Sequence, residues 1–457
     1  MTRMALEWLI DEPTFEALFQ QEAEDQYTRE LTLTHMVDIM LDVASGTRPS
    51  PRAAFWARWE QIRVSEAAFY GKLRRMEPDI AAAVVRHTAA QARAVIAAAE
   101  GLTDEPIPGY HARVLDGNAL AGTEHRIQPL RDLRAAGLPG KLLAVYEQSS
   151  GIIEDVILCE DAYTQERALL DRVSIGAGQL WIADRNFCVR WFLRDIERHR
   201  AFFLIRRHQK DLSFTPLGEL VPVGRCAPGE VFEHRIRVED PEGGEPQVMR
   251  RIVLRLDKPT REGETEIELV TNLPAEVSAI LICETYRRRW LIEGHFQRLT
   301  DLWHCEVATL SYPRAALFAF AMSVVAGNAV ALLEGNLRAV HGEEEVAALS
   351  HYALVDEIGH TYRGMMIALP PATWSFVRAY DAAALAGVLK EVAAHVRVYW
   401  MHKATGGPKE VRTTKQKSGG GSPHVSTRRI LDQSASRRSP PRHSANQIMS
   451  YKSSGSQ

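Results

Sequence analysis

The chain has 457 residues, enough for more than one domain, and its 25% charged and 46% hydrophobic residues are the proportions of an ordinary globular protein. No run of about 18 uninterrupted apolar residues occurs, and the opening MTRMALEWLIDEPTFEALF is acidic and lacks a signal-peptide layout, so a cytoplasmic protein with no membrane partner is expected. The net charge of −3 is unevenly spread: from His402 onward 11 Lys and Arg stand against 2 acidic residues, leaving 44 basic and 56 acidic before it, so any nucleic-acid affinity of the folded part must come from local clusters.

Residues 12 to 100 read as helical, with Ala-rich amphipathic stretches such as MEPDIAAAVVRHTAAQARAVIAAAEG. Within them, Arg63 to Arg75 opens on a serine N-cap and ends in basic residues. That pattern fits the recognition helix of a helix-turn-helix, and equally a plain surface helix with cations at its C-terminal end.

From Arg113 the pattern changes to strands. RVLDGNAL, KLLAVYEQ and IIEDVILCED are short β-rich runs, the last two joined by a Ser149-Ser150-Gly151 turn. AYTQERALLDRV then predicts a helix, QLWIADRNF a strand, CVRWFLRDIERHR a helix and AFFLIRRH a strand. Three strands followed by alternating helix and strand predict a mixed sheet with helices on its faces. Between about Lys210 and Pro274 the helix signal vanishes, and EVFEHRIRVED, QVMRRIVLRLD and TEIELVTNL predict a β-rich insertion. After it, SYPRAALFAFAMSVVAGNAVALLEGNLRAV is apolar enough for a buried helix, and helices continue to about Tyr399. The rest is rich in Gly, Ser, Pro and Arg, so a disordered basic tail able to touch DNA nonspecifically is expected.

Two aspartates stand at informative places. Asp116 lies on the first predicted strand, in Val-Leu-Asp-Gly-Asn, and Asp184 ends the strand Leu-Trp-Ile-Ala-Asp, expected to run parallel beside the first. Phosphodiester cleavage by divalent ions needs carboxylates converging from separate elements, and Mg²⁺ suits oxygen donors. An aspartate at a strand end is also a common turn or cap residue, as Glu160 and Asp161 are expected to be. The 16 histidines show no HExxH or zinc-finger spacing and the 5 cysteines no CxxC, so structural zinc is not indicated and free thiols are expected. A GxxxxGK[ST] phosphate loop is missing, which speaks against nucleotide-driven chemistry.

A third acid lies in Tyr286-Arg287-Arg288-Arg289-Trp290-Leu291-Ile292-Glu293-Gly294-His295-Phe296-Gln297-Arg298-Leu299-Thr300. Wound as one α-helix, this stretch puts Tyr286, Arg289, Trp290, Glu293, Gln297 and Thr300 on one stripe, opposite Leu291, Ile292, Phe296, Leu299, Leu302 and Trp303. On pattern alone, a polar stripe opposite an apolar one is what any surface helix shows.

The spacing Tyr, two residues, Arg, three residues, Glu resembles the signature helix of the bacterial IS4-family transposases. Tyr286, Arg289 and Glu293 match it, while Asp116 and the Ala-Asp-Arg-Asn-Phe segment around Asp184 resemble that family's two aspartate motifs. The resemblance runs from about Arg113 to Leu333, with the β-rich insert where the family carries one, and PHVSTRRIL resembles sequence near the C-terminus of related transposases. It departs at Thr300, where the family has a lysine, although Arg298 lies close by.

The resemblance implies an α/β, ribonuclease H-like mixed sheet flanked by helices, with a helical DNA-binding region over 1–105 and a catalytic domain over 106–209 and 277–401. The β-rich insertion would occupy 210–276 and the tail 402–457. It also implies a DDE triad of Asp116, Asp184 and Glu293 holding Mg²⁺ or Mn²⁺, two ions in all, with Tyr286 and Arg289 on DNA phosphates, Trp290 beside the site and Arg298 adding backbone contacts. Arg185 and Trp290 keep structural alternatives, an ion pair for one and core closure for the other. The implied partners are double-stranded DNA, as terminal inverted repeats and target, and a second copy of the chain. Rival expectations are a co-opted, non-catalytic DNA-binding protein and a stand-alone nuclease of the same fold.

Overall fold

The computed structural model describes residues 1–26, 28, 30–208, 211–240, 243–260, 263–369, 371–403 and 424–438. It is a mixed α/β structure built on one sheet of nine strands. The strands of the first half are β1 (His111–Ala119), β2 (Ala136–Leu138), β3 (Lys141–Glu147), β4 (Ile152–Cys159), β5 (Gln179–Ala183) and β6 (Phe202–Arg206). Those of the second half are β7 (Thr215–Cys226), β8 (Gly229–Val238), β9 (Gln247–Leu256) and β10 (Glu266–Thr271). The order across the sheet is β4-β3-β1-β5-β6-β10-β9-β8-β7.

β1, β5 and β6 are parallel neighbours, while β3 runs antiparallel to β1 and forms an antiparallel hairpin with β4, which is the expected ribonuclease H-like core. Near-continuous apolar runs such as Leu180 to Ala183 are buried on both faces, as parallel strands covered by helices must be. Gly151 takes the positive φ of 75° that the β3–β4 turn requires. The β-rich insertion continues the same sheet, because β10 pairs antiparallel with β6 and carries β9, β8 and β7 outward.

Among the described residues, seven helices precede the sheet: α1 (Thr2–Leu9), α2 (Glu12–Glu22), α3 (Leu33–Ala44), α4 (Pro51–Ala57), α5 (Trp59–Ile62), α6 (Glu66–Leu73) and α7 (Pro78–Ala98). In α6, Ser65 caps the amide of Ala68 as expected, but Phe69 and Lys72 are buried, with Lys72 Nζ donating to the Leu31 carbonyl at 2.6 Å. The basic end of that helix is therefore partly spent on packing. α7 lies against β4 and against α12 (Pro313–His341), the longest helix. α12 is long and apolar enough to cross a membrane, yet 94% of its most apolar window is buried in the protein. Asn328 pins it to the sheet edge by accepting from Ile153 N–H at 3.0 Å and donating to the Ile153 carbonyl at 2.8 Å.

Three expectations are corrected. The helix expected over Ala162 to Val173 is a 3-10 segment, Glu166–Arg172. Glu160 and Asp161 do more than cap. Part of the expected tail is folded: residues 424–426 pair in parallel with β2, and a helix follows over Thr427–Arg438. Arg428 bonds Glu160 at 2.8 Å, and Arg429 and Ser426 bond Asp161 at 2.8 and 2.6 Å. Opposite charges brought together by β2 explain why this polar segment is held; residues 404–423 and 439–457 lie outside the described residues.

Glu147, at the end of β3, is wholly buried and joins the helical region to the sheet through Arg93 of α7 at 2.8 Å, Arg113 of β1 at 2.9 Å and the Ser150 hydroxyl at 2.5 Å. Burial alone would raise its carboxyl, but Arg113, Ser150 and Arg93 together hold it below the usual 4.5. A depressed carboxyl contributes stability at neutral pH that is lost as pH falls through its lowered value. Glu147→Ala should cost about 3 kcal/mol at pH 7 in urea unfolding, since it strands buried arginine charge. The gap from wild type should narrow below pH 4.5.

Candidate active site

β1 and β5 place two aspartates side by side. Their register pairs Leu115 with Ala183, so Asp116 and Asp184 are the next residues on adjacent parallel strands. Strand spacing of about 5 Å makes these neighbours at the carboxyl edge of the parallel core. Each aspartate is fastened locally: Asp116 Oδ1 accepts from Gly117 N–H at 2.9 Å, and Asp184 Oδ1 accepts from Asn186 N–H at 2.7 Å.

The third acid arrives on a broken helix. Instead of one helix from 286 to 300, α10 (Ala279–Arg287) passes into a 3-10 turn over Arg288–Trp290 and then α11 (Leu291–Leu302). The tighter winding rotates the chain between the two helices. Tyr286 and Arg289 turn inward, each 8% exposed, while Trp290 turns out to 65% exposure and closes no core. Ile292 and Leu299 are buried and hold α11 on the core, and Gly327 of α12 leaves room for Leu299. Glu293 sits in the first turn of α11, one helical turn after Arg289.

Arg289 is the centre of the constellation. Its Nη1 donates to Asp116 Oδ2 at 2.8 Å and its Nη2 to Glu293 Oε1 at 3.0 Å. Burial raises the Asp116 carboxyl to about 6; Arg289 and the Gly117 amide pull it down, while the charges of Asp184 and Glu293 push it up. The Tyr286 hydroxyl is pushed up to about 12, chiefly by burial, and its charge-free form lies against Arg289. Two acids are thus bridged by one guanidinium, with the charge of Asp184 nearby.

Among the described residues, no three His, Cys, Asp or Glu side chains stand grouped as a ready-made metal site. The donor set of Asp116, Asp184 and Glu293 is nonetheless all oxygen and anionic, which fits a hard divalent cation and excludes the sulfur-rich chemistry of zinc or copper centres. Residues 109–328 match the family model described as the transposase DDE domain.

That segment is thus similar to a transposase DDE domain. It begins two residues before β1 and ends inside α12, so it contains the parallel core, the β-rich insertion and the broken helix. No curated protein matches the chain.

Other residues named from the DDE domain sequence lie in varied places. Arg298 turns away from the acids, at 3.0 Å from His351 Nε2, whose Nδ1 meets Glu334 at 2.8 Å. Arg185 bonds Glu264 at 3.0 Å, realising the ion pair considered for it and tying the Asp184 loop to the insertion. Thr300 is exposed, its hydroxyl donating back to the Phe296 carbonyl at 3.1 Å. Arg287 and Arg288 are exposed beside Trp290. Sequence reasoning missed Asn186 and Glu166, bonded to each other at 2.7 Å next to the aspartates; the asparagine two residues after Asp184 was the available signal.

A carboxyl raised by folding costs stability as pH climbs through its folded value and costs nothing below its unfolded value. Asp116→Asn, measured in EDTA, should therefore stabilise the protein above pH 6 by on the order of 2–3 kcal/mol, with the gain vanishing toward pH 4. An unchanged urea midpoint at pH 7.5 would contradict this charge arrangement.

Proposed function

We propose that the protein is a DNA transposase of the IS4 type, which cleaves phosphodiesters at the ends of its element and joins the freed 3′-hydroxyl to target DNA. The observations that support this reading are the Arg289 bridge between Asp116 and Glu293, the adjacency of Asp116 and Asp184 on parallel strands, and the match to a transposase DDE domain. Asp116, Asp184 and Glu293 would hold Mg²⁺ or Mn²⁺, two ions in this reading. When bound, such ions activate an oxygen nucleophile and stabilise the leaving oxygen of an in-line phosphoryl transfer.

The remaining work falls to the chain's own groups. Arg289 neutralises the clustered carboxylates in the free protein and, once released from Asp116, offers a two-pronged donor to a DNA phosphate. Tyr286 stays neutral and hydrogen-bonds that guanidinium. Arg287, Arg288 and the exposed Trp290 lie at the rim, where they serve the DNA backbone and an unstacked base or sugar. Arg298 contributes a long-range positive field, since its direct bond is to His351. The helical region and the folded end of the tail supply surfaces for the inverted repeats and for a second copy of the chain, and the protein acts in the bacterial cytoplasm on nucleoid DNA.

Purified protein mixed with labelled DNA bearing the element's flanking inverted repeats tests this directly. Asp116→Ala, Asp184→Ala and Glu293→Ala should each reduce Mg²⁺-dependent end cleavage to the metal-free background while leaving DNA binding within the wild-type range. Cleavage retained by any of them sinks the assignment, and binding without cleavage by the wild type supports a co-opted DNA-binding protein instead. Cutting without joining would mark a stand-alone nuclease.

Thr300 lies seven residues beyond Glu293 on α11, about 10 Å along the helix, and is exposed. Thr300→Lys should tighten DNA binding and steepen its salt dependence by about 0.9 in log–log slope, the signature of one added phosphate contact. An unchanged slope would place this position off the DNA path.

A further inference from the structure

Glu166 is a fourth carboxylate at the edge of a site already crowded with three. It lies half-buried at the start of the 3-10 segment Glu166–Arg172, and among the described residues it forms no ion pair. Its Oε2 instead accepts from Asn186 Nδ2 at 2.7 Å. Its carboxyl group also presses on Gly117: a Cβ on that glycine would lie 2.5 Å from both Cδ and Oε1 of Glu166.

Those two neighbours are the residues that orient the aspartates. Gly117 supplies the amide bonded to Asp116 Oδ1, and Asn186 supplies the amide bonded to Asp184 Oδ1. One side chain therefore touches both strand β1 at Gly117, next to Asp116, and the turn after Asp184. Its carboxylate is held by the Asn186 amide and packed against Gly117, with no cation paired to it among the described residues. Its position is accounted for if its oxygen is needed as a fixed acceptor.

We propose that Glu166 is a positioning residue that sets the Asp116–Asp184 pair for divalent-cation binding, acting through Asn186 and through the close approach to Gly117. The inference rests on the reading of those aspartates as the cation-holding pair. Glu166 acts as a hydrogen-bond acceptor and a steric stop, so glutamine, which keeps the shape and an acceptor oxygen, serves in its place. Groups that orient metal ligands typically shift metal affinity 10–100-fold when removed. Gly117 belongs to the same device, since any side chain there would displace the Glu166 carboxylate.

The test is Mn²⁺ binding to the full-length protein, followed by the loss of the free-ion electron paramagnetic resonance signal, which needs no DNA and no turnover. Glu166→Ala and Asn186→Ala should each weaken Mn²⁺ binding by roughly 10–100-fold. The double variant should bind no more weakly than the weaker single, and Glu166→Gln should bind as the wild type does. Asp184→Asn is the control for the site itself. If Asp184→Asn loses Mn²⁺ while Glu166→Ala binds normally, the positioning role is overturned and the site reading stands. Equal losses in Glu166→Gln and Glu166→Ala overturn it too, because they would show that the charge itself is required. A wild type that does not bind Mn²⁺, or an Asp184→Asn variant that binds it unchanged, overturns both readings. Should Glu166→Ala fail to fold by its thermal melt, Asn186→Ala and Glu166→Gln carry the comparison.

Discussion

Three carboxylates held within reach of one another are mutually repulsive, and the organisation around them follows from how that repulsion is met. In this protein Arg289 meets it, bridging Asp116 and Glu293 from a buried position and facing Asp184. A guanidinium is suited to the task because it is always charged and presents donors in a fixed fork. The cost shows at Asp116, whose carboxyl burial raises to about 6 despite the salt bridge. Real proteins tolerate such locally unfavourable arrangements at functional sites and offset them elsewhere in the fold.

The scaffold supplies what that arrangement needs. Parallel pairing of β1 with β5 brings the aspartates together, and the 3-10 turn between α10 and α11 directs Arg289 inward and Glu293 toward it. Behind them, α12 is fixed to β4 by Asn328, and Glu147 ties α7 to β1 and β3 through buried ion pairs. The insertion is joined to the same framework: β10 extends the sheet from β6, and Glu264 holds Arg185 and Arg206 beside the Asp184 loop. This sheet and these ion pairs join the insertion to the residue after Asp184.

Much of this was legible because the signals are local. Alternating or continuous apolar runs locate β1, β3 to β6 and β8 to β10, and a 3.6-residue period locates α7, α9 (Arg190–Arg198) and α12. β7 escaped notice because it is an edge strand, with Pro216, Pro222, Gly218 and Gly224 interrupting its pattern and most of its residues exposed. The folded segment 424–438 escaped because its stability comes from Glu160 and Asp161, far away in the chain, and from pairing with a three-residue strand. Composition reports on what a segment can bury by itself and is blind to such distant partners.

The amino-acid sequence by itself determined the element types, the mixed sheet, the order of Asp116, Asp184 and Glu293, and the departure at Thr300, since each depends on residue identity and short-range spacing. Only the tertiary structure decided which side chains face one another. It turned Trp290 outward and Tyr286 inward through three residues of tighter helix, sent Arg298 to His351, and placed Glu166 against Gly117 and Asn186. Helical phase accumulates over a turn and a half and contacts close over tens to hundreds of residues, so a small change in winding or one distant carboxylate is enough to redirect a side chain.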